Sequence, residues 1–228
     1  MPLYASFPLG SVPATPSAPT VEQSWASGST RSDWTDLAWT MPSAPTIQVG
    51  DRVVLFGVSR QDVAANKTMT TPSGFTLGAN YTTADNLCDV RWVHRTVTEG
   101  DLTSGASYTF GENSRRIDWL IVRNYSGTTT TGAGASSFSS PLTVPTIAGT
   151  ESGGVHVVSF TASGENPEVT SVPSGYVTQY TPPMGWSGGG LWIKSPSDRP
   201  TGDVDFAATA SNYLGLTGLS FWIYPGST

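Results

Sequence analysis

The chain has 228 residues, a net charge of −6 and 12% charged side chains, about half the usual charged share. So acidic a protein with so few Lys and Arg is a poor binder of duplex DNA or anionic membranes, and its one cysteine, Cys88, excludes an internal disulfide and a Cys-based zinc site. Ser and Thr make up about a quarter of the chain, Gly (25) and Pro (17) are raised, and eight Trp with eight Tyr require burial or contacts. With Glu and Lys scarce, this composition predicts strands rather than helices.

Residues 1–20 are Pro-rich and without periodicity. Proline fixes φ and removes backbone donors, so an extended, polyproline-like arm is predicted. Tyr4, Phe7 and Leu9 suit an arm that docks on a neighbour, because a solvated tail gains nothing from large apolar side chains.

Short strands then recur at the spacing of a sandwich or barrel. They are predicted near 21–27, 36–41, 52–59, 75–81, 88–96, 105–110 and 117–124. A second set is predicted near 140–144, 155–162, 175–180, 189–194, 203–209 and 217–224. In 88–96, Asp89, Arg91 and Val93 alternate with Val90, Trp92 and His94, which predicts one wet and one dry face. The polar stretch 127–140 reads as a linker or crossing strand. Helix is expected to be nearly absent, apart from a turn near 62–65. Trp39, Phe56, Trp92, Trp119, Phe160, Trp192 and Trp222 are the predicted core.

The second half repeats landmarks of the first in the same order, about 100 residues on. Val53-Val54-Leu55-Phe56 returns as 155–160, and Pro72-Ser73-Gly74-Phe75 as Pro173-Ser174-Gly175-Tyr176. Val90-Arg91-Trp92-Val93 returns as 190–193, Gly100-Asp101 as Gly202-Asp203, and the closing strand 119–125 as 219–224. A period of this length means a duplicated β block rather than a solenoid. The expected architecture is all-β: a jelly-roll-like sandwich of two pseudo-repeats over 21–228 (about 30–126 and 141–226), preceded by the 1–20 arm. One fused sandwich is preferred to two domains, because a block of so few strands leaves edges and a face to cover.

This order of a Gly-Asp strand, a P-x-G-aromatic turn, a Trp strand with Arg, a second Gly-Asp turn and an aromatic closing strand, repeated once, resembles β-sandwich domains of tailed-bacteriophage virion proteins. These occur as capsid decoration proteins, head fibres and tail-tip or fibre proteins. The resemblance implies a non-enzymatic structural role on the virion's outer surface, with the major capsid protein or another virion protein, and further copies of the chain, as partners. The start of the chain lacks the features of a secretory signal and no apolar run approaches the ~18 residues that would span a membrane. Synthesis in a host cytoplasm is therefore expected, with neither membrane nor nucleic acid as a partner. The alternative reading is a tail-tip or fibre protein contacting host glycans.

Sites of chemistry are sparse. His94 and His156 are the only histidines, each within a strand, and no G-x-S-x-G accompanies them. Asp203 with Asp205, or Glu165 with Glu168, could form a glycosidase carboxylate pair, but turn-capping and solvated strand faces explain them as well. No calcium loop is present in the sequence, and no catalytic, cofactor or metal residue is assigned. The candidate partner contacts are the arm residues Tyr4, Phe7 and Leu9, with Tyr180, Met184 and Trp186 in the Pro/Gly-rich loop 180–188.

Overall fold

The computed structural model describes residues 20–28, 37–43, 47–60, 69–86, 88–111, 114–123, 125–131, 134–145, 155–180, 187–194, 202–212 and 214–225. The protein is all-β with almost no helix. Its strands are β1 (Thr20–Gly28), β2 (Ala38–Thr40), β3 (Arg52–Arg60), β4 (Thr76–Thr82), β5 (Cys88–Thr96), β6 (Ser107–Thr109), β7 (Ser114–Arg123) and β8 (Tyr125–Thr131). They continue with β9 (Ala135–Ser137), β10 (Leu142–Val144), β11 (Val155–Gly164), β12 (Glu168–Ser171), β13 (Tyr176–Tyr180), β14 (Ser187–Lys194), β15 (Val204–Thr209) and β16 (Leu214–Pro225). One short helix, α1 (Glu99–Ser104), stands where the Gly100-Asp101 turn was expected. The stretch read as a linker or crossing strand, 127–140, contributes β8 and β9, both paired with β16. β12 was not anticipated, and the turn near 62–65 lies outside the described residues.

Two large antiparallel sheets carry the fold. The first has the order β1-β7-β3-β5-β4, and the second β13-β14-β11-β16-β8 with β9 also on β16. A two-stranded sheet, β2-β6, and a three-stranded one, β10-β15-β12, complete the set. The apolar residues on each strand's two faces sort these sheets into layers. Leu55, Val93, Trp119 and Ile121 join Trp39, Met41 and Phe110 in one core, between the first large sheet and β2-β6. Val54, Phe56, Trp92, Leu120 and Val122 meet Val157, Leu191, Leu219, Phe221 and Ile223 in a second core, between the two large sheets. Phe160, Trp192 and Leu216 meet Leu142, Val144 and Phe206 in a third, under β10-β15-β12. Successive residues of a strand point to opposite faces, so each large sheet feeds two cores.

That layering corrects the wet and dry faces expected for β5. Val93 is fully buried and Asp89 nearly so, while His94 and Arg91 are half-buried. A strand covered on both faces reads as apolar on both. All seven predicted core aromatics are buried. Trp92 and Trp192, matched by sequence, nevertheless face different cores, because a one-residue shift of register moves a side chain to the other face.

The turns follow their glycines. Phe75 N–H bonds Pro72 C=O at 3.1 Å, with Gly74 at φ +79° and its counterpart Gly175 at φ +81°. A type II turn demands positive φ at this position, which only glycine adopts without strain.

Candidate functional site

The charged residues singled out by sequence are mostly braces. Asp51 follows Gly50, which has φ +91°. Its Oδ2 accepts from Gln48 N–H at 2.8 Å, and its two oxygens take Nε and Nη2 of Arg123, each at 3.1 Å. The start of β3 is thus tied to the end of β7 by a bidentate pair, the strongest form of ion pairing.

Asp101 does the same for α1. Its Oδ2 accepts from the backbone N–H (2.8 Å) and the hydroxyl (2.7 Å) of Thr98, a capping box at the helix start. Arg95 Nη2 reaches the same oxygen at 2.8 Å, and its Nη1 donates to Tyr108 Oη at 2.8 Å. The guanidinium lies 5.6 Å from the Phe75 ring centre and 5.5 Å from that of Tyr108, within cation–π range. Burial pushes the Asp101 carboxyl up, but the Thr98 bonds and the Arg95 charge hold it below its ordinary value.

Between the large sheets lies an ion pair with no solvent exposure. Arg116 Nε is 3.1 Å from Asp118 Oδ2, both on β7, and Arg116 Nη2 donates to Thr161 Oγ1 on β11 at 2.9 Å. Burial raises the Asp118 carboxyl to about 6, against the pull of Arg116. Other polar links cross between the halves nearby. Ser163 Oγ donates to Asp85, Gly134 N–H to Tyr81 Oη at 3.0 Å, and Ser136 Oγ to Thr82 C=O at 2.7 Å. A Cβ on Gly134 would meet the Tyr81 ring at 2.0 Å, so this close approach needs glycine.

Both histidines are engaged in strands. Arg52 Nη1 lies 3.0 Å from His94 Nδ1. Arginine can only donate, so Nδ1 accepts and the ring proton sits on Nε2. Burial, then the Arg52 charge, lowers His94 to about 4. His156 shares a 2.7 Å hydrogen bond with Tyr176 Oη through Nδ1, and burial raises the Tyr176 phenol well above its ordinary value. Of the carboxylate candidates, Asp203, Asp205 and Glu168 are exposed. Asp205 accepts from Thr143 at 2.6 Å and Glu165 from Asn212. Among the described residues, no three His, Cys, Asp or Glu cluster as metal ligands would.

Tyr4, Phe7, Leu9, Met184 and Trp186 lie outside the described residues. Tyr180 ends β13, its backbone paired with Leu191 on β14. The exposed large apolar residues among those described are Val49, Leu77, Phe138 and Val172. Phe138, 66% exposed between β9 and β10, was not singled out by sequence reading. A lone aromatic in the run Ser136-Ser137-Phe138-Ser139-Ser140 is the signal that could have found it.

No protein-family model, curated protein or solved structure matches the chain.

Proposed function

We propose that this chain is a non-enzymatic structural protein of a tailed-phage virion, a decoration protein seated on the outer surface of the capsid. It would bind the major capsid protein or another virion protein, alongside copies of itself. The observation that carries this reading is the use of its charged side chains. Asp51 with Arg123 and Asp101 with Arg95 each join one part of the scaffold to another, and Arg116, paired with Asp118 on its own strand, reaches across to Thr161 of the facing sheet. A catalytic carboxylate or imidazole must instead face the group on which it acts.

The scaffold is, in this reading, a jelly-roll-like sandwich made of two copies of one block. The order of the strands supports it. Taken from one edge, β1-β7-β3-β5-β4 corresponds strand for strand, in chain order, to β8-β16-β11-β14-β13, and β2-β6 to β10-β15. Stacking the two blocks through their large sheets covers a face that either block alone would leave open. The 1–20 arm, with Tyr4, Phe7 and Leu9, is proposed to attach the protein to the particle.

Counting copies in purified particles by quantitative mass spectrometry tests the assignment. Hundreds of copies support decoration. A few to a few tens place the protein on the tail, where Tyr180, Met184 and Trp186 would contact host glycans. Removing residues 1–20 should leave folding intact and weaken attachment to stripped capsids at least tenfold, about 1.4 kcal/mol. Unchanged attachment would remove the arm from the interface.

A further inference from the structure

The layer between the large sheets contains polar atoms that the described protein atoms leave unsatisfied. Arg116 and Asp118 are both 0% exposed. Arg116 Nη1 has no hydrogen-bond partner among the described residues, nor does either carboxylate oxygen of Asp118. The 3.1 Å approach of Arg116 Nε to Asp118 Oδ2 is an ion contact without hydrogen-bond geometry. On the facing strand, Ser159 is 2% exposed and its Oγ is likewise unpartnered. Ser159 precedes by two residues the Thr161 that receives Arg116 Nη2. Alternate residues of a strand share a face, so both hydroxyls lie on the face of β11 that Val157 turns toward the first sheet.

A buried donor or acceptor left unmade costs roughly 1–3 kcal/mol, more when charged. Folded proteins meet such groups with internal water, which needs two to four polar partners. We propose that water is bound between the two large sheets, held by Arg116 Nη1, the Asp118 carboxylate and the Ser159 hydroxyl. The chemistry selects the ligand. Guanidinium and carboxylate together are neutral, so neither a cation nor an anion is favoured. The donors of Arg116 and the acceptors of Asp118 instead demand a molecule that both accepts and donates. The apolar walls formed by Phe56, Leu120 and Leu219 would isolate it from bulk solvent. The two halves would then meet through bound water at this point as well as through their aromatic core.

A crystal structure of the full chain, at a resolution that places ordered water, tests this. Water within about 3.2 Å of Arg116 Nη1 or an Asp118 oxygen is the expected result. In solution, magnetisation should pass from water to the backbone amides of Asp118 and Ser159, and not to that of Phe221. Thr161→Val and Ser159→Ala each remove a hydroxyl that could relay exchange, so transfer that persists at the Asp118 amide in both variants reports the bound molecule. A dry layer in which Arg116 and Asp118 bond directly to protein atoms, with no transfer at those amides, would overturn the proposal.

Discussion

Trp92 on β5 stacks against Phe221 on β16, with ring centroids 5.2 Å apart and planes 10° from parallel. The two residues belong to opposite halves of the chain and to facing sheets. Phe56 packs beside both, at 6.4 Å from Trp92 and 5.5 Å from Phe221. This trio is the aromatic centre of the contact that joins the halves. A double-mutant cycle on Trp92→Leu and Phe221→Leu should return a coupling of about 0.5–1.5 kcal/mol, the worth of an aromatic pair beyond its buried area. A coupling of zero would mean the rings share a layer without sharing energy.

Trp92→Ala and Trp192→Ala should each lose roughly 3–5 kcal/mol in chemical denaturation, as large aromatic truncations in cores do. The two rings sit in separate cores, so the double variant should lose close to the sum. A near-neutral result for either Trp would contradict its burial.

Gly78→Ala should destabilise by about 1–3 kcal/mol through overpacking. A Cβ there would lie 2.1 Å from Trp92 Cε2, so the indole must move. Trp fluorescence should shift with the loss of stability, and a variant with wild-type stability and spectrum would show that the ring has room to yield.

Arg116→Met should cost roughly 3–5 kcal/mol, because it leaves the Asp118 charge buried without its partner. The double change Arg116→Met with Asp118→Leu should recover most of that loss, since an apolar pair of similar size carries no desolvation penalty. Thermal melts of the three proteins check the order. Equal loss in the single and double variants would mean the site's shape, and not its charge, sets the cost.

His94 makes stability depend on acid. Its folded value is lowered to about 4 from 6.5, so between these values the unfolded chain binds a proton that the folded chain refuses. The His94 contribution to stability therefore rises with pH across this window, opposed between about 4 and 6 by Asp118, whose raised carboxyl keeps its proton in the folded state. The contribution is complete above 6.5 and is lost as pH falls toward 4. His94→Gln keeps an acceptor for Arg52 and should flatten the slope of melting temperature against pH from 4 to 6.5. An unchanged slope would assign the acid sensitivity elsewhere.

Strand-forming character, the positions of most strands, the aromatic core and the glycine turns are legible in the amino-acid pattern alone. Each of these rests on local properties. Alternating apolar residues, prolines between strands and Gly at Gly74 and Gly175 act within a few residues of themselves. Which face meets which layer depends instead on contacts between residues far apart in the chain. Asp89, Arg91 and Val93 read as a solvated face because Asp and Arg alternate with apolar residues. The wet assignment fails because β2-β6 and its loops cover Val93 and its neighbours from the far side of the sheet. The same holds for Trp92 and Trp192, whose sequence match is blind to a one-residue shift that sends them into different cores. The Arg116–Asp118 pair also lay beyond the reach of pattern. Two charges on one strand face signal solvent, until a second sheet from residues 125–225 is laid over them.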